Sequence, residues 1–301
     1  MVAESAALVV AAAADPGLLG AQSMEALAAS GPSKLGGAVG TAWATFQRDP
    51  LSRHVALFVQ EVVGRACYQR TPRDKRPQYT ESVNGPADVL WFPGALALMQ
   101  AAARSFHYWR VSSHVTGVED AAFERGVALP ESAWPPGGSL SQPLSKVEAD
   151  IAGAGFATLR MEDPEGPPFI SFAPTCHTGD CGFADLSEED RVRNRQVAGA
   201  LWITRWMQAL KVVQREQVGT WKEQSVLELE LNLFLESYCR VRPAAPGSAL
   251  LSTRAQLRSG SIRLDDKQGP YGYGADLSLQ PDWRLDGRFP TYRIRNRLDK
   301  E

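Results

Sequence analysis

Residues 277–298 read LSLQPDWRLDGRFPTYRIRNRL. Leu277, Leu279, Trp283 and Leu285 alternate with Ser278, Gln280, Asp282 and Arg284, the period of a strand with one buried face. Pro281 inside that run has no N–H to give a ladder, which predicts a sheet edge. Further on, Tyr292, Ile294 and Leu298 fall among Arg293, Arg295 and Arg297, so one face is apolar and the other carries guanidinium groups. Over residues 254–264 the apolar phase shifts at Gly260, from Ala255 and Leu257 to Ile262 and Leu264, as a bulge would make it do. The chain is therefore expected to end in antiparallel strands with exposed edges. Arginines on an edge discourage aggregation, and they also suit an acidic partner strand.

Working back from there, Glu223–Cys239 sets Leu227, Leu231, Phe234 and Tyr238 on one helical face. Ser187-Glu188-Glu189-Asp190 opens a helical region running to about Gly219, with Val197, Leu201, Trp206, Leu210 and Val213 near helical spacing. Before Asp185 helices and strands alternate, which predicts an α/β (mixed α+β) fold over residues 1–185 and a helical pair with β-structure over 186–301. Residues 6–14 read as a short buried helix stopped by Asp15-Pro16-Gly17, residues 35–48 as a helix closed by Asp49-Pro50, and His54–Val63 as one buried strand. Pro93 opens a helix over Gly94–Phe106, followed by a strand at Tyr108–Val111. Ser145 and Glu148 have the spacing of a capping box for a helix to about Ala152, which Gly153 and Gly155 end. Strands follow at Phe156–Leu159 and Phe169–Phe172. Residues 69–88 and 130–143 read as loops.

The composition excludes several functions. The net charge of −2 gives no electrostatic case for nucleic acid or an anionic membrane. The apolar run at 6–14 lacks a basic start and falls short of a membrane span, so a cytoplasmic chain is expected. Four cysteines in 301 residues do not make a disulfide scaffold. Cys176, His177 and Cys181 supply three potential ligands where a closed zinc site wants four, and the plain reading is a loop. None of His54, His107, His114 or His177 lies in a catalytic signature, and the chain has no nucleophile elbow or phosphate-binding loop. Gly272 and Gly274 read as a turn opening a strand. The adjacent pairs Glu119-Asp120 and Asp265-Asp266 read as solvated turns. The basic run holding Arg70, Arg73, Lys75 and Arg76 reads as a solvated loop. No cofactor, metal or catalytic residue is expected.

Several segments, taken in order, resemble the large subunit of the type VI secretion contractile sheath. Ser52–Leu57 (SRHVAL) resembles a family stretch reading roughly SRYVGL, and Leu90–Ala97 (LWFPGALA) resembles LWGNAAYA. Arg104-Ser105-Phe106 with Tyr108-Trp109 is similar to SFxxYGW, and Lys146–Ile151 with Gly155-Phe156 to RExELxxLGF. Ile203–Gly219, ending QREQVG, is similar to the long family helix closing in RDKIG. Leu231–Tyr238 resembles LNxWLxxY, and Leu277–Leu285 the strand YLRPHFQLE. The likeness lies in the shared order of these short motifs across residues 52 to 285.

The resemblance implies a non-enzymatic structural subunit that pairs with a small sheath subunit and with further copies of itself. Such pairs form a contracting helical tube around an inner tube protein, with no nucleic acid or membrane partner. Neighbouring protomers in that family are linked by terminal strands that complete one another's sheets. Residues 1–185 are then the sheath-like α/β domain and 186–301 the assembly segment. The candidate assembly interface is Leu277, Leu279, Trp283, Leu285, Tyr292, Arg293, Ile294, Arg295 and Arg297. Relative to the family the chain is expected to lack an N-terminal region. Alternatives are an accessory cap or baseplate component with the same fold, and an enzyme or metal protein using Cys176, His177 and Cys181.

Overall fold

The computed structural model describes residues 8–33, 37–65, 68, 79–82, 84, 88–109, 111–112, 115–116, 140, 144–161, 168–178, 186–216, 223–239, 257–266, 272–282 and 289–299. The chain divides into two compact units, one of residues 11–108 and 114–178, the other of residues 1–10, 109–113 and 179–301. The fold is α/β, with seven helices and three sheets among the described residues.

In the first unit a four-stranded sheet runs in the order β1 (Val10–Ala13), β2 (Val55–Phe58), β5 (Phe156–Arg160), β6 (Phe169–Phe172). β2 and β5 are parallel, with Leu57 opposite Phe156, and β5 and β6 are antiparallel. β3 (Glu61–Val63) and β4 (Trp91–Pro93) make a separate antiparallel pair. The helices are α1 (Met24–Ser30), α2 (Gly37–Arg48), α3 (Gly94–Trp109) and α4 (Glu148–Gly153). Leu19, Leu27, Val59, Leu144, Ile151 and Phe156 form a core on which Trp43 packs, its ring 5.4 Å from that of Phe156.

Five local expectations fail here. Residues 10–13 are a strand, not a helix: their backbone runs beside β2, and the Ala14 N–H bonds Phe58 O at 2.8 Å. Pairing overrides the weak helix preference of alanine. His54–Val63 is not one strand. His54 closes a 3-10 turn, Pro50–His54, and the chain leaves the large sheet after Phe58 to start β3. At that break the buried Gln60 side chain replaces a strand neighbour, accepting from Leu159 N at 2.7 Å and donating to Leu159 O at 2.9 Å. Pro93 ends β4 instead of opening the helix, and Tyr108 and Trp109 belong to α3 instead of a strand. The capping box at Ser145 does not form, since α4 begins after Val147 with no side-chain cap. Glu148 turns inward instead, where its carboxylate accepts from the hydroxyls of Thr158 (3.3 Å) and Ser171.

In the second unit the long helical region is two helices, α5 (Glu188–Asn194) and α6 (Val197–Arg215), interrupted at Arg195 and Gln196. Ser187 caps α5, accepting from Asp190 N at 3.1 Å. α7 (Gln224–Glu236) follows. β7 (Leu257–Asp265), β8 (Gly272–Pro281) and β9 (Tyr292–Asp299) form an antiparallel sheet in that order. The register slips between Leu257 and Ser259, so the expected bulge is present slightly ahead of Gly260. One face of the sheet meets α6 and α7 through Trp202, Met207, Leu210, Leu231, Leu235, Leu277, Leu279, Ile294 and Leu298, all at most 2% exposed.

β8 is the middle strand. Pro281 therefore marks the end of a central strand and not an edge: it sits at the last rung, opposite Leu257. Gly272 opens β8, as expected, and Gly274 is its third residue; they lie opposite Asp299 and Arg297. Trp283 and Leu285 lie outside the described residues.

Two predictions follow from these contacts. Gly199 lies where α6 meets Tyr292: a Cβ there would come within 2.9 Å of Tyr292 Cδ1 and 3.0 Å of Arg193 O. Gly199→Ala gains about 1 kcal/mol of helix propensity. It is nonetheless expected to lose on the order of 1–3 kcal/mol net through overpacking, measured by urea denaturation. Burial pushes the Glu148 carboxyl above its usual range, against the opposing pull of Arg160 and Thr158. A raised folded value means that the stabilising, protonated form is present in acid and lost as pH rises through that value. Glu148→Gln is therefore expected to raise Tm at neutral pH, with the gain vanishing below the ordinary carboxylate range.

Candidate assembly interface

The ladder geometry fixes which backbone groups each edge of the second unit's sheet turns outward. In antiparallel pairing a residue's N–H and C=O point to the same side, and successive residues alternate. On β7 the outward residues are Ile262 and Leu264, and α7 closes them with side chains. Gln224 Nε2 donates to Leu264 O (2.7 Å), Glu228 Oε2 accepts from Leu264 N (2.7 Å), and Asn232 both donates to Ile262 O (2.9 Å) and accepts from Ile262 N (3.0 Å). The spacing explains the fit. Helical residues four apart rise about 6 Å, close to the roughly 6.6 Å between alternate residues of a strand.

β9 is treated the same way at its beginning. Asp190 Oδ1 accepts from Thr291 N at 3.1 Å. Asn194 donates to Thr291 O at 2.8 Å and accepts from Arg293 N at 2.8 Å. By the same parity Arg295, Arg297 and Asp299 turn their backbone groups away from β8. Among the described residues no strand lies beyond β9. Arg297 N–H bonds the carboxamide of its own neighbour, Asn296 Oδ1, at 2.7 Å.

The sheet face away from the helices is polar. Arg295 joins Asp276 (3.2 Å) and Asp265, and Arg293 Nε donates to Ser278 Oγ at 3.3 Å. The two glycines of β8 make room for these side chains. A Cβ on Gly272 would meet Arg297 Nε at 2.6 Å, and one on Gly274 would strike the Asp265 carboxylate.

The expected interface residues thus fall into three groups. Leu277, Leu279, Tyr292 and Ile294 are buried under α6 and α7; Arg293, Arg295 and Arg297 lie on the polar face; Trp283 and Leu285 are outside the described residues. The residues that close the edges (Asp190, Asn194, Gln224, Glu228 and Asn232) escaped the sequence reading. Their signal was present as amide and carboxylate residues repeating every four along a helix.

Elsewhere, Cys176 is buried, and burial pushes its thiol up to about 12, away from nucleophile or ligand character. His177 Nδ1 lies 3.0 Å from Ser52 Oγ and 3.1 Å from Asp49 O, tying the 3-10 turn to the segment beside β2. Cys181 lies outside the described residues. Among those described, no three His, Cys, Asp or Glu side chains gather as a metal site would need. Arg70, Arg73, Lys75 and Arg76 also lie outside. Beside that run Arg65 holds Glu81 by two bonds of 2.6 and 2.7 Å, which keeps the Glu81 carboxyl down at about 2. No described helix is long and apolar enough to cross a membrane.

These features define a two-unit α/β chain with a helix-backed antiparallel sheet that, among the described residues, has side chains closing one edge and the start of the other. Comparison with known proteins places it. Residues 1–141 match the EvpB/VC_A0108 tail sheath N-terminal domain, and residues 188–298 match the EvpB/VC_A0108 tail sheath gpW/gp25-like domain. The chain belongs to this tail sheath family. It is 23% identical over 275 residues to the type VI secretion system sheath protein TssC1 of Pseudomonas aeruginosa, covering 85% of this chain and 53% of that protein. The chain thus spans about half the length of that relative. Among solved structures, the sheath tail protein of Desulfitobacterium hafniense is 9% identical, with a TM-score of 0.33, covering 82% of this chain and 46% of that one.

Asn232→Ala strips both partners from Ile262. It is expected to cost about 1–3 kcal/mol by urea denaturation and to raise the apparent mass in sedimentation velocity, because it opens the β7 edge.

Proposed function

We propose that this chain is a non-enzymatic structural subunit of the contractile sheath of a type VI-like secretion apparatus. Membership of the tail sheath family carries the reading, and the uncovered stretch of β9 supplies a means of assembly. A strand from a neighbouring subunit adds beside Arg295–Asp299, the main chain giving affinity and the alternation of side chains giving register. The neighbour is a small sheath subunit or another copy of this chain, and the resulting helical tube surrounds an inner tube protein in the cytoplasm. Arg293, Arg295 and Arg297 favour an acidic partner strand. Leu277, Leu279, Tyr292 and Ile294 contribute by holding β9 flat against α6, not by touching the partner.

Removing residues 288–301 would be a poor test, since it takes Tyr292, Ile294 and Leu298 out of the core. Arg295→Pro is cleaner. It deletes an outward N–H while leaving the ladder to β8 intact, as proline is tolerated at strand edges. Co-purification with the small subunit, followed by negative-stain microscopy, is expected to give rods for the wild type and for Arg295→Ala, and folded but unassembled protein for Arg295→Pro. Rods from Arg295→Pro would overturn assembly through this edge. A partner recovered in only a few copies per particle would point to a cap or baseplate part.

A further inference from the structure

Two helices, one in each compact unit, carry an exposed apolar stripe on the face away from their own core. On α3 it is Leu96, Met99, Ala103 and Phe106, with Met99 63% exposed, while Ala95, Ala97 and Leu98 face inward. On α7 it is Val226, Leu229 and Leu233, at 42, 59 and 55% exposure, while Leu227, Leu231 and Leu235 are buried. Both stripes step by three and four residues in turn, the seam that one helix offers to another. An ordinary surface helix shows one apolar face; these show two.

We infer that α3 of one copy packs antiparallel on α7 of another. Antiparallel alignment sets Met99 against Leu233, Ala103 against Leu229 and Phe106 against Val226, a small residue meeting a large one in the middle layer. The flanks also match. α3 carries Arg104 and contains no acidic residue. α7 carries Glu228, Glu230 and Glu236 and contains no basic residue. Pairing α7 with itself would instead crowd carboxylates. Two unlike, complementary patches on one chain make a head-to-tail contact, which propagates where a symmetric one closes. This contact is separate from the β9 edge and does not depend on the sheath reading.

The full chain carrying Ala103→Cys is mixed with the full chain carrying Leu229→Cys and oxidised with diamide. A disulfide-linked dimer is expected in the mixture and not in either variant alone, and Leu233→Glu on the second chain is expected to abolish it. Equal dimer from one variant alone would overturn the inference, since the contact would then be symmetric, and so would no dimer in any tube. A double variant that closes its disulfide within a monomer overturns it as well. Rods without the mixed disulfide would reject this contact and leave the sheath reading standing; the mixed disulfide without rods would do the reverse.

Discussion

A strand edge is a row of paired donors and acceptors with nothing opposite, and a side-chain carboxamide carries the same pair of groups as the peptide it faces. The structure uses this equivalence at three places. Gln60 stands beside Leu159 where β2 ends, Asn232 beside Ile262 along β7, and Asn194 between Thr291 and Arg293 at the start of β9. Each lets a strand stop or a sheet end without a buried unpaired peptide, whose desolvation would cost about 1–3 kcal/mol. Glu228 and Asp190 extend the device with carboxylates that accept only. Among the described residues, side chains close β7 along Ile262 and Leu264 and β9 as far as Arg293.

Periodicity made most of this architecture legible. The alternation of Tyr292 to Leu298, the apolar faces of α6 and α7, the helix start after Ser187 and the strands at Phe156 and Phe169 all appear where the residues place them. Several misreadings share a cause: a contact distant in sequence decided the outcome. Val10–Ala13 is apolar without a distinctive period, so only the neighbouring β2 makes it a strand. Glu148 has capping spacing, but Thr158 and Ser171 offer it two hydroxyls inside. Pro281 signals an edge only if it lies within the ladder, and it lies at the end. The carboxamide closures were harder still, because a Gln or Asn on a helix reads as solvent-facing until the strand beside it is known.

The Tyr-Gly-Tyr-Gly run around Gly272 and Gly274 shows how one strand serves both faces. Tyr273 packs on the helix side, while the glycines on the other side leave troughs in which Arg297 and Asp265 lie across the middle strand. The Arg297 and Asp265 side chains are thereby laid over the middle strand. Arg295 is tied between Asp265 and Asp276 in the same way. In the proposed assembly this arrangement orders the polar face beside the edge to which a further strand adds. A flexible arginine there would have to be ordered on docking, at an entropic cost of up to about 2 kcal/mol.

The open edge is also short. In the proposed assembly Arg295, Arg297 and Asp299 present six outward backbone groups, and among the described residues the Arg297 N–H is held by Asn296. At about 1 kcal/mol net for each hydrogen bond, strand addition supplies roughly 5 kcal/mol before the cost of association is counted. That corresponds at best to sub-millimolar binding, too weak to hold one pair of subunits together. A weak edge is suited to a lattice in which each subunit is held at several points, since linked contacts reinforce one another through effective concentration. In the sheath proposed above, such a lattice is firm as a whole while any single contact remains free to break and re-form, which a tube that changes length requires of its joints.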